Sequence, residues 1–95
     1  MKELQKLIEK YRQRQIAKGY GIQHDDEHIN GEIITEHLKD YIGGHKTYCY
    51  IINHNEDKQE KLKMIDHSIK ELANAGALIL AEMQRLKRLE VKLNK

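Results

Sequence analysis

The fold is decided by the stretch from Asp57 to Leu93, which reads DKQEKLKMIDHSIKELANAGALILAEMQRLKRLEVKL. Its apolar residues recur in alternating steps of three and four, the heptad spacing that places side chains on one face of a helix. The repeat consists of Leu62, Ile65, Ile69, Leu72, Gly76, Ile79, Met83 and Leu86, and Leu89 and Leu93 extend it. The pattern predicts one long helix over about residues 57–93.

Small residues occupy the middle of this predicted helix, in the run Ala73-Asn74-Ala75-Gly76-Ala77. A glycine inside a helix costs about 1 kcal/mol relative to alanine, so Gly76 implies a close helix contact that offsets this cost. The helix is also longer than one small domain needs. We therefore expect packing against a second chain, and a homo-oligomer, at least a dimer, formed through residues 57–93.

Two shorter helices are predicted upstream. The apolar side chains of residues 3–17 fall near one helical face: Leu4, Leu7, Ile8 and Tyr11. The run Lys18-Gly19-Tyr20-Gly21 ends this helix, because glycine accepts the left-handed conformation found at helix ends. A polar loop is expected over residues 18–29, and a second helix over about residues 30–42.

Residues 43–56 are predicted to be a linker or a short extended segment. They include the run KTYCYIIN at 46–53, whose β-branched and aromatic residues favour strands. Because a lone strand has no partner in its own chain, this run pairs with another subunit, packs as an extended segment or is helical. The predicted fold is all-α, a single helical domain over residues 1–95 that packs as a homo-oligomeric bundle.

The composition restricts the class of protein. The chain has 95 residues, the length of one domain, and 39% of them are hydrophobic and 34% charged. It lacks tryptophan, phenylalanine and proline, so its core is expected to be aliphatic. A net charge of +2 indicates no nucleic-acid partner.

The sequence also predicts a location. Cys49 is the single cysteine, which excludes an intrachain disulfide framework and fits a reducing cytoplasm. The N-terminal residues lack the apolar run of a signal peptide. No stretch approaches the about 20 apolar residues of a membrane span. We therefore expect a soluble, cytoplasmic protein without a membrane partner.

Titratable side chains are concentrated in residues 24–32, HDDEHINGE. If this region is helical, four groups spaced three, four and four residues apart share one face: Asp25, His28, Glu32 and Glu36. Such a set could bind a divalent metal ion. The same residues also fit the start of a helix, where carboxylates complement the helix dipole, or a polar site for an organic ligand.

Basic and aromatic residues precede this region. Arg12, Arg14 and Lys18 are candidates to bind phosphates, which arginine holds through two parallel hydrogen bonds. Tyr11 and Tyr20 are candidates to stack on a base. The alternative is a solvated helix end, where basic residues complement the dipole.

Three blocks of the chain, RQRQIAKGY, HDDEHINGEI and AGALILAEMQRLKR, together resemble a family of small, mostly uncharacterised phage and prophage proteins. That family reads approximately ERxRQI-x-KG(Y/W), HDDxHxxGEL and KAGALIxAEIxRL. The match covers about residues 10–34 and 72–88, including Arg14-Gln15, Asp25-Asp26 and Ala75-Gly76-Ala77. The chain departs from the pattern after Glu32 and at Asn74, where the family has lysine.

The resemblance implies a phage-linked accessory role, in the cytoplasm of a bacterial host. We expect a counter-defence protein that sequesters a small phosphorylated nucleotide immune signal without turnover and without a cofactor. Its predicted ligand-binding residues are Arg12, Arg14, Lys18, Tyr20, His24, Asp25, Asp26, His28, Glu32, Glu82 and Arg85.

Two alternatives stay open. One is a nucleotide pyrophosphohydrolase-like enzyme, in which Asp25, His28, Glu32 and Glu36 would hold Mg²⁺ or Mn²⁺. The other is a protein-binding inhibitor of a host defence complex, of the anti-CRISPR type, in which the exposed face of the long helix would matter more than a pocket.

Overall fold

The computed structural model of the protein describes residues 2–95, which form helices joined by short turns. The α-helices are α1 (Lys2–Ala17), α2 (Ile22–Glu27), α3 (Leu38–Ile42), α4 (His45–His54) and α5 (Lys58–Leu93). A π-helical turn, Ile33–His37, leads directly into α3. The predicted all-α class and the long C-terminal helix are confirmed.

Helix α5 is the element on which the others assemble. The longest dimension of the protein is 58 Å, close to the length of about 54 Å that its 36 residues span at 1.5 Å each. Every other helix and the π turn pack against α5. Its first turn is capped by Asp57, whose side chain accepts hydrogen bonds from the backbone N–H groups of Gln59 and Glu60.

Helix α1 ends in a Schellman motif. The N–H of Tyr20 donates to the carbonyl of Gln15 at 3.0 Å, and the N–H of Gly19 donates to Ile16 at 3.0 Å. Gly19 has a φ of +101°, a conformation that favours glycine. The predicted end of the first helix is therefore confirmed, and the motif turns the chain back so that Tyr20 contacts Arg12.

Three predicted segments differ from the structure. The polar loop expected over 18–29 contains α2. This helix has only six residues, and its N-cap residue, Gly21, has no side chain that could have indicated the start of a helix in the sequence. The helix expected over 30–42 begins at Ile33 with a π turn. Residues 43–56, predicted as a linker or extended segment, form α4 over His45–His54, because packing against α5 overrides the strand preference of its residues.

The core is small and consists mainly of alanines on α5. Its buried apolar side chains are Ile33, Ala73, Ala75, Ala77, Leu78 and Ala81. A Cβ atom on Gly76 would lie 3.4 Å from Cδ1 of Ile8 on α1. Within the chain, the close contact that Gly76 implies is made by α1. The expected packing of residues 57–93 against a second chain stays a prediction.

Apart from Gly76, the residues of the α5 heptad repeat lie outside this core. Nine of its large side chains stay between 39% and 77% exposed: Leu62, Ile65, Ile69, Leu72, Ile79, Met83, Leu86, Leu89 and Leu93. We name these nine the α5 stripe. Among residues 2–95, no helix has both the length and the apolar composition needed to cross a membrane.

Candidate functional site

A buried ion pair joins α1 to α2. Nη2 of Arg12 donates to Oδ2 of Asp25 at 2.6 Å, and the side chains are 6% and 2% exposed. Nη1 of Arg12 donates to the carbonyl of Tyr20 at 2.9 Å. Nδ1 of His24 lies 3.3 Å from the other oxygen of Asp25. The pair therefore fixes the turn between the two helices, because a buried charge must be held by partners on all sides.

A second polar contact joins α1 to α5. Nε2 of Gln15 donates to Oδ1 of Asn74 at 2.8 Å and to the backbone carbonyl of the same residue at 3.2 Å. Gln15 is 5% exposed. Asn74 thus contributes to the packing of α1 on α5.

A charged cluster ties the region after α1 to the C-terminal half of α5. Nη2 of Arg88 donates to Oδ1 of Asp26 at 2.7 Å. Nε of Arg85 donates to the carboxylate of Glu82, and both residues are buried. Gly31, with a φ of +76°, passes so close that a Cβ there would lie 3.4 Å from Oε2 of Glu82. Glu32, next to Gly31, also acts on Arg85 through its charge. We name Asp26, Glu32, Glu82, Arg85 and Arg88 the α5 charge cluster.

The pKa values in this cluster move in the directions that its contacts dictate. The hydrogen bond from Arg88 lowers the pKa of Asp26. The pKa of Glu32 is lowered by hydrogen bonding to its own backbone N–H and then by the N–H of Asn30. The hydrogen bond with Glu82 raises the pKa of Arg85. All three shifts favour the charged forms of these three side chains.

A pocket opens beside the buried ion pair, with a volume of about 80 Å³. Its floor is buried and combines polar and apolar groups, and exposed or half-buried rings form its rim. The floor residues are Arg12, Gln15, Asp25, Ile33 and Leu78, and the rim residues are Tyr20, His24, His37 and Tyr41. We name this the Arg12 pocket. The π turn contributes Ile33 and His37, and such turns occur frequently at functional sites.

Two buried polar atoms of this floor have no hydrogen-bond partner among residues 2–95. They are Nε of Arg12, a donor, and Oε1 of Gln15, an acceptor. The two residues lie three positions apart on α1, so they are neighbours on one helical face. Leaving a buried polar group without a partner costs about 1–3 kcal/mol, so such groups call for an explanation.

Rings form a row along one side of the pocket. The centroids of Tyr20 and His24 are 4.9 Å apart, and those of His24 and His28 are 4.5 Å apart. His37 continues the row at 6.4 Å from His28. This arrangement offers aromatic surfaces to a flat ligand at the rim.

The structure divides the predicted ligand-binding residues into three groups. Arg12, Tyr20, His24 and Asp25 line the pocket. The charge cluster at its side contains Asp26, Glu32, Glu82 and Arg85, and His28 lies between the two groups. Arg14 and Lys18 do not line the pocket. Arg14 is exposed, with its guanidinium 5.3 Å from the ring centre of Tyr11.

The sequence did not identify several lining residues. Gln15 was overlooked, although it stands one helical turn after Arg12. His37 and Tyr41 were not among the predicted ligand residues, and their spacing of four residues was the signal that they share a surface.

The four predicted metal ligands are not gathered into one site. Asp25 faces Arg12, and Nδ1 of His28 lies 4.0 Å from Oε2 of Glu32. Glu36 is exposed in the π turn. Within the described part of the chain, residues 2–95, no group of three or more histidine, cysteine or carboxylate side chains has the arrangement of a metal site.

Comparison with known proteins gives no further assignment. The chain matches no protein-family model, no curated protein and no solved structure. A functional conclusion therefore depends on the site itself.

Proposed function

We propose that the protein binds a small phosphorylated nucleotide in the Arg12 pocket without converting it, as a counter-defence protein of the phage type. The observation that carries the ligand part of the proposal is a pocket with rings at its rim beside a buried ion pair. The counter-defence part rests on the resemblance of the three sequence blocks to phage and prophage proteins.

The size of the pocket restricts how such a ligand binds. Typical small-molecule sites have volumes of about 300–1,000 Å³. The Arg12 pocket, at about 80 Å³, accepts one end of a nucleotide while the remainder lies outside. Tyr20 is 46% exposed at the rim, where it can stack on a ring that enters.

We further propose that the protein is a homo-oligomer formed through the α5 stripe. Covering half of a large aliphatic side chain contributes about 1 kcal/mol, and two copies contribute nine such side chains each. Covering the α5 stripe would therefore remove a large apolar surface of both copies from water.

An apolar groove supports the same association. It lies between α1 and α5 beside the stripe, has a volume of about 200 Å³ and is lined by Leu4, Ile8, Ile69, Leu72 and Ala73. Two of these residues belong to the stripe itself. A large side chain from a second copy would fill the groove.

The experiment that tests ligand binding is native mass spectrometry of the full chain purified from bacterial lysate, followed by calorimetry. The calorimetric panel contains the four ribonucleoside monophosphates, c-di-AMP and c-di-GMP. We expect retained nucleotide mass or saturable binding of one panel member, with the ligand released unchanged. Absence of both would contradict the proposal, and release of phosphate or pyrophosphate from nucleoside triphosphates with Mg²⁺ or Mn²⁺ would favour the hydrolase alternative.

A pair of tyrosine variants locates the binding. Tyr20→Ala removes a rim ring, and we expect a loss of about 1–3 kcal/mol of binding free energy, the contribution of one stacked base. The matched control is Tyr50→Ala, since Tyr50 is 63% exposed on α4 and does not line the pocket. If the two variants bound the nucleotide with equal affinity, the binding site would lie outside the Arg12 pocket.

The α5 stripe also favours a second candidate function, the protein-binding inhibitor. A chain that sediments as a monomer at high concentration and binds no nucleotide would leave the stripe free for a host protein. Stoichiometric capture of one host defence component, abolished by charges in the stripe, would establish that candidate.

A further inference from the structure

The α5 stripe is a long and narrow apolar surface. It runs from Leu62 to Leu93, a length of about 46 Å at 1.5 Å per residue. Among residues 2–95, the next longest helix is α1, whose 16 residues span only about 24 Å. The element of this chain that matches the length of the stripe is therefore α5 itself, so the occupant of the stripe is α5 of a second copy. This inference rests on the proposed association through the stripe and concerns the direction in which the two helices run.

The heptad spacing of the stripe permits two directions. In a parallel pair in register, each stripe residue faces the same residue of the second copy. In an antiparallel pair whose stripes overlap along their full length, Leu62 faces Leu93 of the second copy. The alternating steps of three and four then bring Leu72 opposite Met83 of the second copy. The spacing alone does not choose between these directions, but the residues that flank the stripe do.

One flank of the stripe contains the apolar groove between α1 and α5. Ala73, which lines this groove, directly follows the stripe residue Leu72, and Leu80 has the same position after Ile79. In a parallel pair this flank meets the opposite flank of the second helix. The residues there at the height of Ala73 are Ser68 and Ala75, which are small and already buried within their own chain. A parallel pair would therefore leave the groove unfilled.

An antiparallel pair brings the same flank of both helices together. Leu80 of the second copy then lies across from Ala73, at the groove. Leu80 is only half-buried in the single chain, and the groove has a volume of about 200 Å³. A large apolar side chain thus meets a small one beside an apolar groove, and by symmetry this contact occurs twice in the dimer.

Charges on this flank favour the same direction. In the antiparallel pair, Asp66 of one copy lies across from Lys87 of the other, and both side chains are exposed. Within the chain, Asp66 also pairs with Lys70, and Lys87 with Glu90. Opposite charges that flank an apolar helix interface determine the orientation of the partners.

The two ends of α5 differ in charge. Residues 85–95 carry five basic side chains and one carboxylate, whereas residues 56–66 carry four carboxylates and three lysines. A parallel pair would place two strongly basic ends side by side. An antiparallel pair places each basic end beside the mixed end of the other copy, which is the electrostatically favourable arrangement.

We infer that α5 pairs with α5 of a second copy in the antiparallel direction, with a two-fold axis that passes between Ala77 and Leu78. Leu80 of each copy fills the groove of the other, and Asp66 and Lys87 flank the interface. None of the residues that line the Arg12 pocket belongs to the α5 stripe, so the paired stripes do not include the pocket.

Disulfide cross-linking of the full chain tests the direction. Cys49→Ser removes the single cysteine, and this background receives Leu72→Cys, Met83→Cys or both. With oxidised glutathione, we expect the double variant to form a disulfide-linked dimer on a non-reducing gel, because position 72 of one copy faces position 83 of the other. Neither single variant should link. The two copies of position 83, like positions 72 and 83 within one chain, are separated by 11 residues, about 16 Å along the axis, which is beyond the reach of a disulfide.

The matched control combines Leu72→Cys with Gln84→Cys, since Gln84 is exposed outside the stripe. It should remain unlinked. A second pair, Ile69→Cys with Leu86→Cys, tests the same alignment and should also link as a double variant only. Circular dichroism of each variant verifies that the helix content is that of the wild type, and the second pair decides the question if the first does not fold.

The outcomes separate this inference from the proposed association. Linkage of Met83→Cys alone would make the pair parallel and overturn the inference, while the association through the α5 stripe would stand. A wild type that sediments as a monomer would overturn both. If the wild type were a dimer and neither folded double variant became linked, the antiparallel alignment would be wrong.

Discussion

The two faces of α5 differ in the size and chemistry of their side chains. The face toward the rest of the chain carries alanines together with the ion pair of Glu82 and Arg85. The α5 stripe carries leucine, isoleucine and methionine and stays largely exposed. Large aliphatic residues ordinarily fill the core and small or charged residues lie elsewhere. Here the arrangement is reversed.

The reversal shows what holds a single chain together. Alanines and Gly76 let α1 approach α5 closely, as the contact of Gly76 with Ile8 illustrates. Specific hydrogen bonds and ion pairs then fix the positions of the helices relative to one another. The apolar volume is concentrated in the stripe, where we propose that a second copy covers it.

The largest expected effect comes from breaking the buried pair. Asp25→Ala leaves the guanidinium of Arg12 buried without its carboxylate, which destabilises a protein by about 3–5 kcal/mol. Because the free energy of unfolding of a native protein is about 5–15 kcal/mol, this loss is a large share of its stability. Chemical denaturation followed by circular dichroism, at one fixed protein concentration, measures the change.

The control for this prediction is Asp40→Ala, which removes an exposed carboxylate on α3. Its expected effect lies within about 0.5 kcal/mol of zero, as for most surface substitutions. If Asp25→Ala cost no more than Asp40→Ala, the polar face would not be what holds the chain together.

The next effect separates assembly from folding. Ile79→Glu combined with Met83→Glu places two charges in the exposed stripe, where they would be buried without partners in an oligomer. We expect this variant to sediment as a monomer of 11.2 kDa while its helix content is unchanged. Analytical ultracentrifugation and circular dichroism measure the two properties.

The matched control is Gln84→Glu, which adds a charge to an exposed position of the same helix outside the stripe. It should leave the sedimentation of the protein as it was. If the double variant kept the oligomeric state of the wild type, the interface would lie outside the α5 stripe. If the double variant unfolded, the stripe would be needed for the stability of the single chain.

The sequence was sufficient for the elements whose signals are local. The heptad repeat identified α5, and Gly19 identified the end of α1. A helix over residues 46–53 was only one of three alternatives, because these residues favour strands in general, and their packing against α5 accompanies the helical form. Helix α2 was missed because a single short turn without a side-chain cap has no local signal.

The candidate site was predictable in part. The sequence pattern predicted Arg12, His24 and Asp25 as site residues, but it does not indicate which charged side chains form ion pairs in the folded protein. The pairing of Arg12 with Asp25 spans 13 positions, and that of Asp26 with Arg88 spans 62. Pairs of this kind are set by tertiary structure, and they changed the expected role of Arg12 from a free phosphate ligand to a neutralised group in a pocket floor.

The smallest expected effect concerns the pair at the edge of the buried face, Asp26 and Arg88. The hydrogen bond from Arg88 lowers the pKa of Asp26 in the folded protein. A lowered carboxyl pKa contributes stability that is fully present above the unfolded value and is lost as the pH falls through the folded value. Asp26→Asn should therefore reduce stability slightly at neutral pH and weaken its decline on acidification.

Thermal unfolding midpoints between neutral pH and about pH 2 measure this prediction. The wild type and Asp26→Asn should differ at neutral pH and converge in acid, whereas Asp40→Asn should follow the wild type throughout. Because the side chains of Asp26 and Arg88 are 38% and 29% exposed, salt should reduce the difference. A difference as large as that of Asp25→Ala would instead mean that the charge cluster carries as much of the fold as the buried pair does.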